Sequence, residues 1–135
     1  MKRILAKAFG RLAPLAVLSM LTACQTSSEA LDVDEIKKAN LVEQECAVYF
    51  AVLAKMQNEG RTARGNLTEG CPSSAQGIQA SISPTNPPRL LDSRFDRIIY
   101  QRMIARGMPE DLADQVRTSQ SFYNLVELSD QVYGT

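Results

Sequence analysis

The chain contains no histidine. That absence removes the Ser-His and Cys-His nucleophile pairs and every histidine-ligated zinc site. No Ser-x-x-Lys follows residue 24, and no glycine-rich phosphate loop lies between a strand and a helix. Internal repeats are absent as well. The apolar run Leu12 to Ala23 falls short of the ~20 residues that a membrane span needs, and extending it backwards meets Arg11 and then Lys7. An excess of positive charge is also missing. Basic and acidic residues number 15 each, and four of the basic ones precede residue 12, so the chain from Cys24 onward has 11 against 15 and a net charge of about −4. That balance opposes binding to nucleic acid and polybasic attachment to anionic lipid, both of which need a concentrated positive face.

What is present begins with an export signal. Lys2, Arg3, Lys7 and Arg11 form a positive amino-terminal region, Leu12 to Ala23 a short apolar one, and the stretch closes on Leu21-Thr22-Ala23-Cys24. This ending resembles the lipobox of bacterial lipoproteins. The resemblance covers only the first 24 or so residues and implies no activity for the rest. It implies a signal peptide over 1–23, cleavage before Cys24, and acyl chains such as palmitate on the sulfur and freed amino group of Cys24. Two or three chains, at ~0.8 kcal/mol per buried methylene, make attachment effectively permanent. The expected address is the periplasmic face of a membrane, and Gln25 in place of aspartate points to the outer one. Two alternatives are ordinary cleavage after Ala23, which would face Leu21 where a small residue is favoured, and an uncleaved anchor.

With Cys24 taken by lipid, Cys46 and Cys71 remain as an even pair in an oxidising space. A disulfide is their simplest use; the alternative is two separate thiols, one buried on a helix and one in a loop. Two thiols without histidine cannot supply the usual four zinc ligands, and Asp32-Val-Asp-Glu35 lacks the spacing and glycine of a calcium loop. No metal or cofactor is expected beyond the lipid.

The 112 residues from Cys24 suit one domain. Residues 24–31 form a polar tether and 32–135 the domain. Asp32 and Glu35 have the spacing of a helix start, followed by an apolar stripe of Ile36, Ala39, Val42, Cys46, Tyr49, Phe50, Leu53 and Met56, ending near Gly60. Between Gly60 and Arg89 periodicity disappears among glycines and prolines, which predicts a long loop with a short helix around Ser73 to Ser81. The sequon-like Asn66-Leu67-Thr68 within it is a chance match in a bacterial envelope protein. Ser93 and Asp96 form a capping-box pair opening a helix to Arg106, closed by Gly107; apolar residues on more than one side predict that it is the central, most buried helix. Pro109 opens a further helical region, with Leu112, Val116, Ser119, Tyr123, Val126 and Tyr133 on one face and a break near Ser119 to Ser121. The predicted fold is a small all-α, three- to four-helix bundle with a long irregular loop and one disulfide.

Candidate chemistry is sparse. Asp92 with Asp96, and Asp111 with Asp114, have helical spacings that could pair carboxylates for glycoside hydrolysis or calcium, although acidic residues at helix starts more often serve the helix dipole. A hydrolase would need an open cleft shared by Asp92, Asp96 and Asp111. Arg94, Arg97, Arg102 and Arg106 could contact an acidic partner, with Arg94 and Arg97 the chosen pair, or be paired with nearby carboxylates. Most aromatic residues suit the core, leaving Phe122 or Tyr100 for a partner groove. The reading is a lipid-anchored, non-enzymatic binding or assembly factor with an envelope protein as partner. A pilotin, the small helical lipoprotein that carries a secretin subunit, fits the size, helices and disulfide by analogy alone.

Overall fold

The computed structural model describes residues 32–89 and 93–134. The leader, Cys24, the tether and Asp92 lie outside the described residues. The chain divides into two units, 1–36 and 37–135, and of the first only 32–36 are described. Among the described residues the protein is all-α: four α-helices and a short 3-10 turn, with no strand beyond an isolated bridge between Pro84 and Ser119. None of these helices is long and apolar enough to cross a membrane.

Helix α1 runs Val33–Asn58. It starts where expected, the Asp32 carboxylate accepting from the Glu35 N–H at 2.8 Å. It stops at Gly60, whose φ of 67° lets the Arg61 N–H turn back to the Met56 carbonyl at 2.8 Å. The buried face differs from the expected stripe. Cys46, Tyr49 and Met56 are buried as expected, but so are Leu41, Val48 and Val52, while Ile36, Ala39 and Val42 are exposed. Apolar residues occupy several sides of this helix, so spacing alone could not choose among them.

Helix α2, Arg94–Ala105, opens on Ser93, whose hydroxyl accepts from the Asp96 N–H at 3.2 Å. It closes at Gly107, φ 98°, with the Met108 N–H returning to the Met103 carbonyl. The expectation that this helix is the most buried is corrected: only Asp96, Ile99 and Met103 are buried, and Ile98 and Ile104 face solvent. The centre of the core belongs to α1, where Tyr49, Val52 and Met56 have no exposed surface. Helices α3 (Glu110–Arg117) and α4 (Gln120–Tyr133) are separated at Thr118 and Ser119. Ser119 caps α4 by accepting from the Phe122 N–H, so the break starts one residue before the predicted zone and overlaps it at Ser119. The new helix turns Phe122, Leu125 and Val126 inward and leaves Tyr133 exposed. Helices α2, α3 and α4 pack on one another.

The remaining cover of the core is the loop. Leu67 and Ala75, 1% and 0% exposed, join the same apolar cluster as Tyr49 and Met103, so the irregular segment is part of the core. The 3-10 turn, Ser73–Gly77, begins where a short helix was expected and ends sooner. Asn66 and Thr68 form a turn, the Asn66 carboxamide oxygen accepting from the Thr68 N–H.

Candidate functional site

The loop is fastened at its middle and near both ends. At the middle, Cys46 Sγ and Cys71 Sγ are bonded at 2.14 Å, joining it to α1. The Ser74 hydroxyl adds a hydrogen bond to Glu43 of the same helix at 2.7 Å. Near its start the loop crosses the α2–α3 corner. There the Arg64 N–H donates to the Gly107 carbonyl, and a Cβ at Gly65 would lie 2.8 Å from the Arg106 carbonyl oxygen. Toward its end, Ser81 exchanges hydrogen bonds with Ser121, and the Thr85 N–H donates to the Thr118 carbonyl at 3.0 Å. Arg89 then lies over the Tyr123 ring, 4.6 Å from its centroid.

Of the depressions in this surface, two are lined by α1. One is a groove of about 700 Å³ between α1 and the extended chain after the 3-10 turn. Ala47, Ala51 and Ala54 form its helical wall, with Phe50, Gln76 and Gln79 around them, and no lining residue is charged. The other, about 240 Å³, lies between α1, α2 and the end of α4, bounded by Val42, Glu45, Tyr49, Arg102, Arg106 and Tyr133 among others.

The charges around the smaller cavity are ordered by a network crossing from α1 to α2. Arg102 Nε and Nη2 donate to the two oxygens of Glu45 at 2.7 and 2.8 Å, a bidentate pair. The Tyr49 hydroxyl donates to Glu45 Oε2. Burial, reinforced by the neighbouring Glu45 charge, pushes the Tyr49 phenol well above the ordinary tyrosine range and keeps it neutral. Partial burial disfavours the Arg102 cation, and the Glu45 contact more than offsets it, so its pKa is raised. Arg106 lies over the Tyr49 ring, 4.6 Å from its centroid, and its Nη1 donates to the carbonyls of Leu67 and Glu69 at 3.0 and 2.9 Å.

Other side chains named from the sequence have different roles. Asp96 is fully buried and receives Arg117 Nε and Nη2 at 2.9 and 3.0 Å. Asp111 receives both terminal nitrogens of Arg61 on the surface, and this hydrogen bond holds its carboxyl below the usual range. Asp96 and Asp111 therefore stand in separate ion pairs, one buried and one exposed, and form no shared cleft; Asp92 lies outside the described residues. Asp114 accepts from the Tyr100 hydroxyl at 2.6 Å, which together with burial pushes that phenol up to about 12. Among the described residues no cluster of three or more metal-ligating side chains could hold an ion.

Phe122 is buried at 1% exposure and unavailable to a partner groove; Tyr100 is half-buried under Arg117. Arg94 and Arg97 are exposed at the start of α2, Arg94 against the Phe95 ring in a separate depression with Ser93 and Asp130. The arginines brought to the loop are Arg102 and Arg106, near the other end of that helix. Glu45 escaped sequence reasoning. A carboxylate inside an apolar stripe, four residues before Tyr49, was its available signal.

The chain matches no family model, no curated protein and no solved structure.

Proposed function

We propose that this protein is a lipid-anchored factor of the bacterial cell envelope that acts by binding an envelope protein. The observation that carries this reading is the fastening of the loop at Arg64, Cys71, Ser81 and Thr85, beside an uncharged groove. A segment held this way offers a preformed recognition surface, and little conformational entropy is lost when a partner docks. The disulfide suits the oxidising compartment to which the Leu21–Cys24 motif would send the chain. In this reading Cys24 carries the lipid, the groove receives the partner, and the exposed start of α2, with Arg94 and Arg97, adds a second contact toward acidic groups.

Photo-crosslinking in native membranes tests the reading. A photoreactive residue at Gln76 or Gln79 should give a discrete protein adduct, one at exposed Glu127 should not, and Cys24→Ser should abolish the adducts by preventing anchoring. Mass spectrometry of the wild-type amino terminus should show acylated Cys24. An unmodified mature Cys24, or adducts from Glu127 and none from the loop, would overturn the assignment.

A further inference from the structure

Arg61 meets Asp111, Arg102 meets Glu45 and Arg117 meets Asp96, each through its guanidinium group. Arg106 is held differently. It is fixed by two backbone carbonyls and an aromatic face, so its position is set while its full charge has no anionic partner. It borders the 240 Å³ cavity, where Arg102 stands one turn away on the same helix. Glu45 engages only one edge of Arg102, Nε with Nη2, which leaves the end-on edge with its second pair of parallel N–H groups. Tyr49 is neutral. The cavity is therefore lined by two cations and one anion, a net positive site in a chain whose part after residue 23 is acidic. The lining also includes the apolar side chains of Leu41 and Val42 and the ring of Tyr133.

We propose that this cavity binds a carboxylate carried on an apolar group about the size of one amino-acid side chain. Arg106 and the open edge of Arg102 receive the carboxylate, and Val42 and Tyr133 cover the apolar part. The volume supports this size, since drug-sized ligands occupy roughly 300–1,000 Å³. Planar guanidinium edges favour a carboxylate held by paired hydrogen bonds. Such a group could be the last residue of a polypeptide or a free small acid. The inference stands on the cavity alone and is independent of the anchor and of the groove beside the loop.

The test uses the protein as purified from its own cells in detergent, with two probes: a labelled tetrapeptide ending in leucine, as free acid and as amide, and N-acetyl-leucine. The free acid should bind saturably and the amide at least about ten-fold more weakly. Val42 is 52% exposed, so Val42→Glu should leave the helical circular dichroism unchanged while its carboxylate competes for the arginines and weakens binding by a similar factor. Val42→Gln, of matching size without the charge, removes apolar cover only and should weaken binding less than Val42→Glu, so the difference between the two reads the charge. Saturable binding of the peptide that N-acetyl-leucine does not displace assigns the site to chain ends; saturation by N-acetyl-leucine, with or without the peptide, assigns it to free acids, and either supports the carboxylate chemistry. Equal binding of acid and amide, indifference to Val42→Glu, or no saturation by either probe at millimolar concentration overturns it.

Discussion

Helix α1 places eight residues in the interior and α2 only three, although apolar side chains occupy several sides of both. The eight all fall in the second part of α1, from Leu41 onward, and residues 32–40 are exposed throughout. Sequence pattern does not separate these cases: Ile36 and Val42 are as apolar as Val48 and Val52. Coverage does. The second part of α1 shares its apolar cluster with helices and also with the irregular loop, through Leu67, Ala75 and the disulfide. Helix α2 has water against the sides that carry Arg94, Arg97 and Gln101, where burying the cations would be costly. A helix becomes central here because a loop is tied over it.

The two helices should therefore fail for different reasons. The largest effect is expected at α2, which is attached through a buried charge. Arg117→Leu leaves the fully buried Asp96 carboxylate without its partner and should cost about 3–5 kcal/mol, read as a lower denaturant midpoint. If Arg117→Leu with Asp96→Leu recovers most of the loss, the damage came from the stranded charge. Next comes the cover over α1. Cys71→Ser should cost about 3 kcal/mol in the chain-entropy account and increase hydrogen exchange at Leu67 and Ala75 more than at Ile99. Equal loosening at all three positions would show that the loop is not a separate cover.

The smallest effect is alkaline. Tyr49 on α1 and Tyr100 on α2 both donate to carboxylates and both have raised folded-state pKa values, that of Tyr100 reaching about 12. A raised pKa favours the protonated form in the folded protein. The associated stabilisation is thus complete below the unfolded tyrosine pKa of about 10 and is lost as pH rises through the folded value. Ultraviolet titration should find both phenols protonated at pH 10, and Tyr49→Phe should remove the later-titrating one.

Much of the local punctuation was legible. Asp32 and Ser93 act as caps, Gly60 and Gly107 end helices with positive φ, and the pair Cys46 and Cys71 forms the expected bond. These features depend on a few neighbouring residues or on cysteine parity, which a sequence displays directly. The long-range partners were not legible. Arg102 meets Glu45 across 57 positions and Arg117 meets Asp96 across 21, while nearer carboxylates were equally available on paper. The candidate site inherits that difficulty, since its charge results from which arginine is left without a carboxylate.

The bond between Cys46 and Cys71 also divides the loop by covalent connectivity. A protease cut between Gly60 and Gly70 leaves one cysteine on each piece, so the fragments stay joined until reduced. A cut between Ser73 and Arg89 leaves both cysteines on the amino-terminal piece. The second fragment, with α2, α3 and α4, is then held only by noncovalent contacts. Under the proposed amino-terminal anchor, damage to the first stretch would keep the three carboxy-terminal helices at the membrane, and damage to the second would allow them to be shed.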